Sequence, residues 1–201
     1  GLLLSGLVAF VASGNADLMR AIYMTPMKWV VMFAPLAFIF WFSFAAERLS
    51  LQAVKLGYYG FSAVMGLSLG YIFLIYTPES ITRVFFITSC MYFGSALYGY
   101  QTRKDLTSWG SFLIMGLIGI IIASIVNLFL LSSAWQFMIS ILGVFIFTGL
   151  TAYDVQRAKG IYDSQPNMEQ AEKAGIMAAF SLYLNFINLF QMLLHLLGNR
   201  E

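Results

Sequence analysis

Between Asp105 and Asp154 the chain runs 48 residues without a single Asp, Glu, Lys, Arg or His. A bilayer-spanning helix needs about 20 apolar residues at roughly 1.5 Å of rise each. The run is therefore two helices, and its break belongs at Leu131-Ser132-Ser133-Ala134, the most polar short stretch inside it. Composition agrees. Hydrophobic residues make up 60% of the 201 and charged ones 10%, against roughly 25% charged in a soluble domain. So few charges cannot cover a soluble protein of this size. The same numbers exclude a disordered chain, which needs low hydrophobicity and high charge. A net charge of +2 with no basic stripe excludes a nucleic-acid partner. The partner that remains is the lipid bilayer.

Other uncharged stretches complete the pattern: 1–16, 29–46, 56–78, 84–102 and 174–194, the last extended past His195 towards 199. They predict an all-α, polytopic bundle of seven transmembrane helices at about 1–13, 29–46, 56–76, 84–102, 108–130, 135–157 and 174–197, one transmembrane domain over 1–201. The first segment is short and begins with Gly1, which suggests a chain that starts inside a longer protein; a signal peptide is the rival reading of Gly1–Ala16. Lys and Arg in the short loops set orientation. Seven (Arg48, Lys55, Arg103, Lys104, Arg157, Lys159, Lys173) fall on one side and four (Arg20, Lys28, Arg83, Arg200) on the other. The richer side is expected to be cytoplasmic, with the N-terminus inside.

Inside lipid, close packing and polar contacts associate helices, because tails are as apolar as leucine. Ser62, Gly66 and Gly70 form a small-residue groove, as do Cys90 with Gly94, Ser95 with Gly99, and Gly116 with Gly119. Pro35 removes one backbone hydrogen bond and is expected to bend its helix. Gly66-Leu67-Ser68-Leu69-Gly70 matches G-x-S-x-G. That motif works on a sharp strand-to-helix turn, whereas here it lies in an apolar helix, so no catalytic residue is assigned and the chain is not expected to be an enzyme. A retinal protein would need a lysine deep in the last helix, where none occurs. Cys90 stands alone, so it makes no internal disulfide or cysteine metal cluster, and no cofactor motif is present.

The last segment places Ser181, Asn185, Asn188 and His195 on one stripe, with Gln191 beside it. Amides and hydroxyls at membrane depth must meet protein or water. They either fix helix register or line a polar path. Asp154 is the one acid within an otherwise apolar span. A carboxyl group withdrawn from water is a candidate proton switch or transient calcium ligand; the plainer alternative is an interfacial pair with Arg157, one turn on.

Two strings, Phe147–Lys159 (FTGLTAYDVQRAK) and Ala178–Gly198 (AAFSLYLNFINLFQMLLHLLG), resemble the last two segments of the Bax inhibitor-1, or TMBIM-type, family. Ser95–Gly119 is similar to the fourth and fifth helices of its bacterial branch. The resemblance implies a bundle with the C-terminal helix central. It also implies a pH-modulated passive calcium or cation leak across the bacterial inner membrane. Some bacterial relatives instead resemble modulators of a membrane-bound protease, which gives the rival reading: a non-conducting interaction protein in such a complex. Family members with the pH sensor use two facing aspartates. Asp154 matches the first; Asn185 stands where the second would be, so two carboxylates sharing a proton are not reproduced. Arg48 corresponds most nearly to the family's membrane-embedded arginine. Asp154 and Asn185 are expected within about 3 Å of each other, which requires the sixth helix to continue past Arg157.

Overall fold

The computed structural model describes residues 1–46, 48–163 and 167–199. Among these the chain is helical throughout its regular structure. Six helices are long and apolar enough to cross a membrane, and a seventh span is formed if one pair bent by 98° counts as a single crossing. The described helices group into two compact units, Gly1–Pro78 and Glu79–Asn199.

The first unit holds α1 (Leu2–Ser13), α2 (Ala16–Tyr23), α3 (Met27–Ala45), α4 (Leu51–Leu69) and the single turn α5 (Ile72–Ile75). Helix α2 is absent from the sequence expectation because it is only 8 residues long and carries Asp17 and Arg20. Asn15 caps it by accepting the Leu18 amide, and Met19 and Ile22 are its buried residues. Helix α4 packs on α1 through the expected small-residue groove. The Ser5 hydroxyl donates to the Ser62 carbonyl at 2.6 Å. A methyl group at Gly66 would come within 2.6 Å of the Ser5 carbonyl, so only glycine admits this approach.

The same stretch explains G-x-S-x-G. Pro35 has no N–H, which leaves the carbonyl four residues earlier, at Val31, without its helical donor. The Ser68 hydroxyl supplies one at 2.5 Å. Tyr23 donates to the Leu67 and Ser68 carbonyls at 2.9 and 3.3 Å at the end of α4, where the Leu67 carbonyl also accepts the Gly70 amide at 3.1 Å. Ser68 supplies the donor that Pro35 lacks.

The second unit holds α6 (Pro78–Gln101), α7 (Thr107–Leu130), α8 (Ser133–Asp163) and α9 (Met168–Leu197). The break at 131–134 falls as the sequence places it, on Leu131 at φ 49°, a left-handed conformation unfavourable for a branched residue. The Asn127 side chain stabilises the turn by accepting the Ser132 amide at 3.1 Å. Helix α8 is the hub. Ser95 of α6 donates to its Thr148 carbonyl, Gly99 lies against its Ala152 backbone, and Gly110 of α7 receives its Tyr153 ring. Helix α9 lies against α8 and α6, with Phe186 edge-on to Phe85 and Tyr92 at 5.7 and 5.3 Å.

Several helices exceed the expected bounds. Helix α4 starts at Leu51 rather than 56, α6 at Pro78 rather than 84, and α9 at Met168 rather than 174, while α8 runs to Asp163 rather than 157. Charged residues mark where side chains reach water, not where the backbone stops being helical. Lys159 shows this: its ammonium lies 4.7 Å from the Tyr100 ring centroid while the helix continues beneath it.

Candidate functional site

Asp154 lies on α8 and Asn185 on α9, and the Asn185 amide donates to the Asp154 carboxylate at 2.8 Å. As expected, α8 continues beyond Arg157, to Asp163. Asn185 is buried and Asp154 half-buried. Among the described residues no ion pair within 4.0 Å joins Asp154 to Arg157, while Lys173 pairs with Glu169 at 3.2 Å near this end.

A cavity of about 220 Å³ leads to this contact. Its α8 wall is Asp154, Arg157, Ala158 and Ile161, and its α9 wall is Ala174, Met177, Ala178 and Ser181. Both sets run i, i+3, i+4, i+7, so each is one face of its helix. The cavity is thus the groove between two paired helices, widened by alanines and running towards the charged end of α8 and start of α9. Asp154 and Ser181 are its innermost polar groups, with Asn185 one turn beyond Ser181. A carboxylate beside a water-sized groove can bind a proton or a hard cation. The amide that holds it adds no charge, and it donates to the ionised form with the strength of a charge-assisted bond.

The remaining sequence candidates separate. Asn188 donates to the Leu184 carbonyl of its own helix at 2.8 Å, so it neither bridges helices nor faces the groove. His195 sits at the far end of α9, with Nδ1 3.5 Å from Gln136 Nε2. Gln136 also accepts from Asn127 at 3.1 Å. The stripe therefore serves two separate polar clusters about 15 Å apart along α9, ten residues at 1.5 Å each. Arg48 lies in the other unit, in the turn between α3 and α4, and is exposed. Among the described residues no group of three His, Cys, Asp or Glu could hold a metal ion.

Sequence reasoning missed Gln156. Its side chain accepts the Leu106 amide at 2.9 Å and donates to the Lys104 carbonyl at 2.8 Å. It pins the α6–α7 loop to α8 two residues from Asp154. Its signal was the position, an amide two residues beyond the lone acid. Arg83 was also missed. It donates to the Leu197 carbonyl at 3.1 Å, where a cation complements the negative end of α9.

Comparison with known proteins covers the whole chain. The family model described as "Inhibitor of apoptosis-promoting Bax1" matches residues 1–201. The chain is 45% identical over 200 residues to the uncharacterized protein RP147 of Rickettsia prowazekii, covering 100% of this chain and 85% of the relative. It is 38% identical over 204 residues to the inner membrane protein YbhL of Escherichia coli K12, covering 100% and 87%. An uncharacterized protein of Deinococcus radiodurans is 35% identical over 201 residues, covering 100% and 86%.

Proposed function

The chain belongs to the Bax inhibitor-1 family, and from that premise we propose that it is a pH-modulated passive leak for calcium or related cations. The family resemblance and the name of the Escherichia coli relative support a bacterial inner membrane as its location, with the N-terminus cytoplasmic from the seven-to-four distribution of basic residues. One observation carries the reading: Asp154, held by the Asn185 amide, closes the inner end of the α8–α9 groove.

In this mechanism a cation moving along the groove meets Asp154 and competes with the Asn185 amide for the carboxylate. Asn185 then acts as a replaceable donor that holds α9 to α8 when no cation is present. A proton competes for the same oxygens, so flux falls as pH falls through the titration of Asp154. With one carboxylate the curve has one step, not the two of a coupled pair. Ser181 adds a hydroxyl to the wall. Asn188 and His195 take no part, and no catalytic step is assigned.

The test is calcium entry into dye-loaded liposomes as a function of pH. Native protein gives a single-step curve, and Asp154→Asn gives flux with no pH dependence. Asn185→Asp gives a two-step curve and a lower half-saturating calcium concentration, because a second carboxylate adds charge to the ligand set. Absence of calcium flux at every pH replaces the leak with the interaction-protein reading. An unchanged pH profile in Asp154→Asn keeps the leak and removes Asp154 as its sensor.

A further inference from the structure

A second, larger cavity of about 540 Å³ opens on the other side of α8, bounded by α6, α7 and α8. Its volume falls in the about 300–1,000 Å³ range of small-molecule sites. Its wall is apolar, formed by Phe112, Leu113, Phe145 and Ile146, with Leu113 packed against Gly149. Its rim is not apolar: Lys104 and Asp105 sit side by side at the mouth. This is the level where α6 ends and α7 begins, the interface at which lipid headgroups lie.

The rim is built rather than loose. The two Gln156 bonds fix the backbone on either side of Asp105, at the Lys104 carbonyl and the Leu106 amide. Thr107 then fixes the carboxylate, donating from both its hydroxyl at 2.6 Å and its amide at 2.9 Å to one oxygen, Oδ1. Among the described residues Oδ2 has no hydrogen-bond partner, and the Lys104 ammonium makes no ion pair within 4.0 Å, with Asp105 or any other acid. Two opposite charges therefore stand adjacent at the interface, each with its head open to a ligand, above a slot of hydrocarbon character. The hydroxyl and amide bonds from Thr107 hold the Asp105 carboxyl below the usual carboxylate range, so its negative charge persists through neutral pH.

We propose that this cavity is a phospholipid site selective for phosphatidylethanolamine: one acyl chain fills the apolar slot, Lys104 takes the phosphate and Asp105 takes the primary ammonium. The charges select the headgroup. An anionic glycerol headgroup satisfies Lys104 but sets its negative charge beside Asp105. A choline headgroup carries a cation with no N–H to donate to Oδ2. The site is separate from the Asp154 groove, and Gln156 ties its rim to the same helix.

The experiment uses the full chain in nanodiscs of equal parts phosphatidylethanolamine, phosphatidylglycerol and phosphatidylcholine. After extraction into detergent, the lipid retained by the protein is quantified by mass spectrometry. Native protein is expected to retain phosphatidylethanolamine at least about fivefold over either competitor, a difference near 1 kcal/mol. Asp105→Asn keeps an acceptor for Thr107 and removes the charge, so it should abolish preference over phosphatidylcholine. Lys104→Gln should lower retention of all three. Both side chains are exposed, and thermal melting in lipid-free detergent checks that the variants fold. Equal retention of the three lipids by native protein, preference for phosphatidylglycerol, no retained lipid, or a preference unchanged in folded Asp105→Asn would each overturn the proposal.

Discussion

Helices α7 and α9 belong to the same unit, and the more apolar of them is the less buried. Helix α7 has the most apolar window of all the candidate spans, yet it buries only Gly110, Leu113 and Ile120. Helix α9 carries two asparagines, two glutamines and a histidine, and it buries ten residues, among them Asn185 and the fully enclosed Leu189. In water the assignment would run the other way, because burial would follow hydrophobicity. In a bilayer the surroundings accept any apolar face, so hydrophobicity does not decide which helix goes inside. Polar groups decide it, since only the protein interior can hydrogen-bond them.

The largest test of this contrast removes the same kind of volume from each helix. Leu189 is 0% exposed and Ile122 of α7 is 57% exposed. Leu189→Ala leaves a cavity and should cost about 2–5 kcal/mol. Ile122→Ala removes a side chain that faces lipid, and should stay within about 0.5 kcal/mol. Thermal unfolding in bicelles measures both. Equal losses would mean that α9 is not the interior helix of its unit.

A smaller effect tests whether polar pairing is what keeps α9 inside. Asn185→Leu removes the amide that donates to Asp154 and leaves a half-buried carboxylate without it, which should cost about 1–3 kcal/mol. Replacing both Asp154 and Asn185 with leucine removes donor and acceptor together and should cost less than Asn185→Leu alone. A double variant as unstable as the sum of the single ones would show that the two residues are not coupled.

The fold was legible because absent charge is a strong signal at membrane depth. The 48-residue run gave two helices and the position of their break, and Asp154 stood out within one of them. Helix ends were less legible, because Lys55, Arg83 and Lys159 lie inside helices whose backbone continues past them. The short α2 was hidden by its charges, and the division into two units has no mark in composition. At the site, the stripe of α9 was visible but its partition was not. Periodicity shows that Asn185, Asn188 and His195 share a face, yet only packing shows that Asn188 bonds its own helix while His195 meets Gln136. Gln156 and Gln136 were overlooked because a single amide carries no period.

The smallest expected effect comes from two glycines three residues apart on α7. Nothing lies within 4 Å of where a methyl group on Gly119 would be, whereas one on Gly116 would come within 2.7 Å of the Ile146 δ-methyl of α8. Alanine in place of glycine at a compatible helical position stabilises by about 0.4–1 kcal/mol, chiefly by restricting the unfolded chain. Gly119→Ala should therefore raise the melting temperature slightly. Gly116→Ala gains the same restriction but must displace Ile146, and because the obstacle is the flexible end of a side chain the loss is partial; its melting temperature should fall below that of Gly119→Ala. The pair sharpens the contrast between α7 and α9 within one helix, because it asks which face of α7 is lipid-facing and which is packed. If Gly119→Ala destabilises as much as Gly116→Ala, the Gly119 face is covered by something other than lipid, and the outward position of α7 no longer follows from its apolar surface.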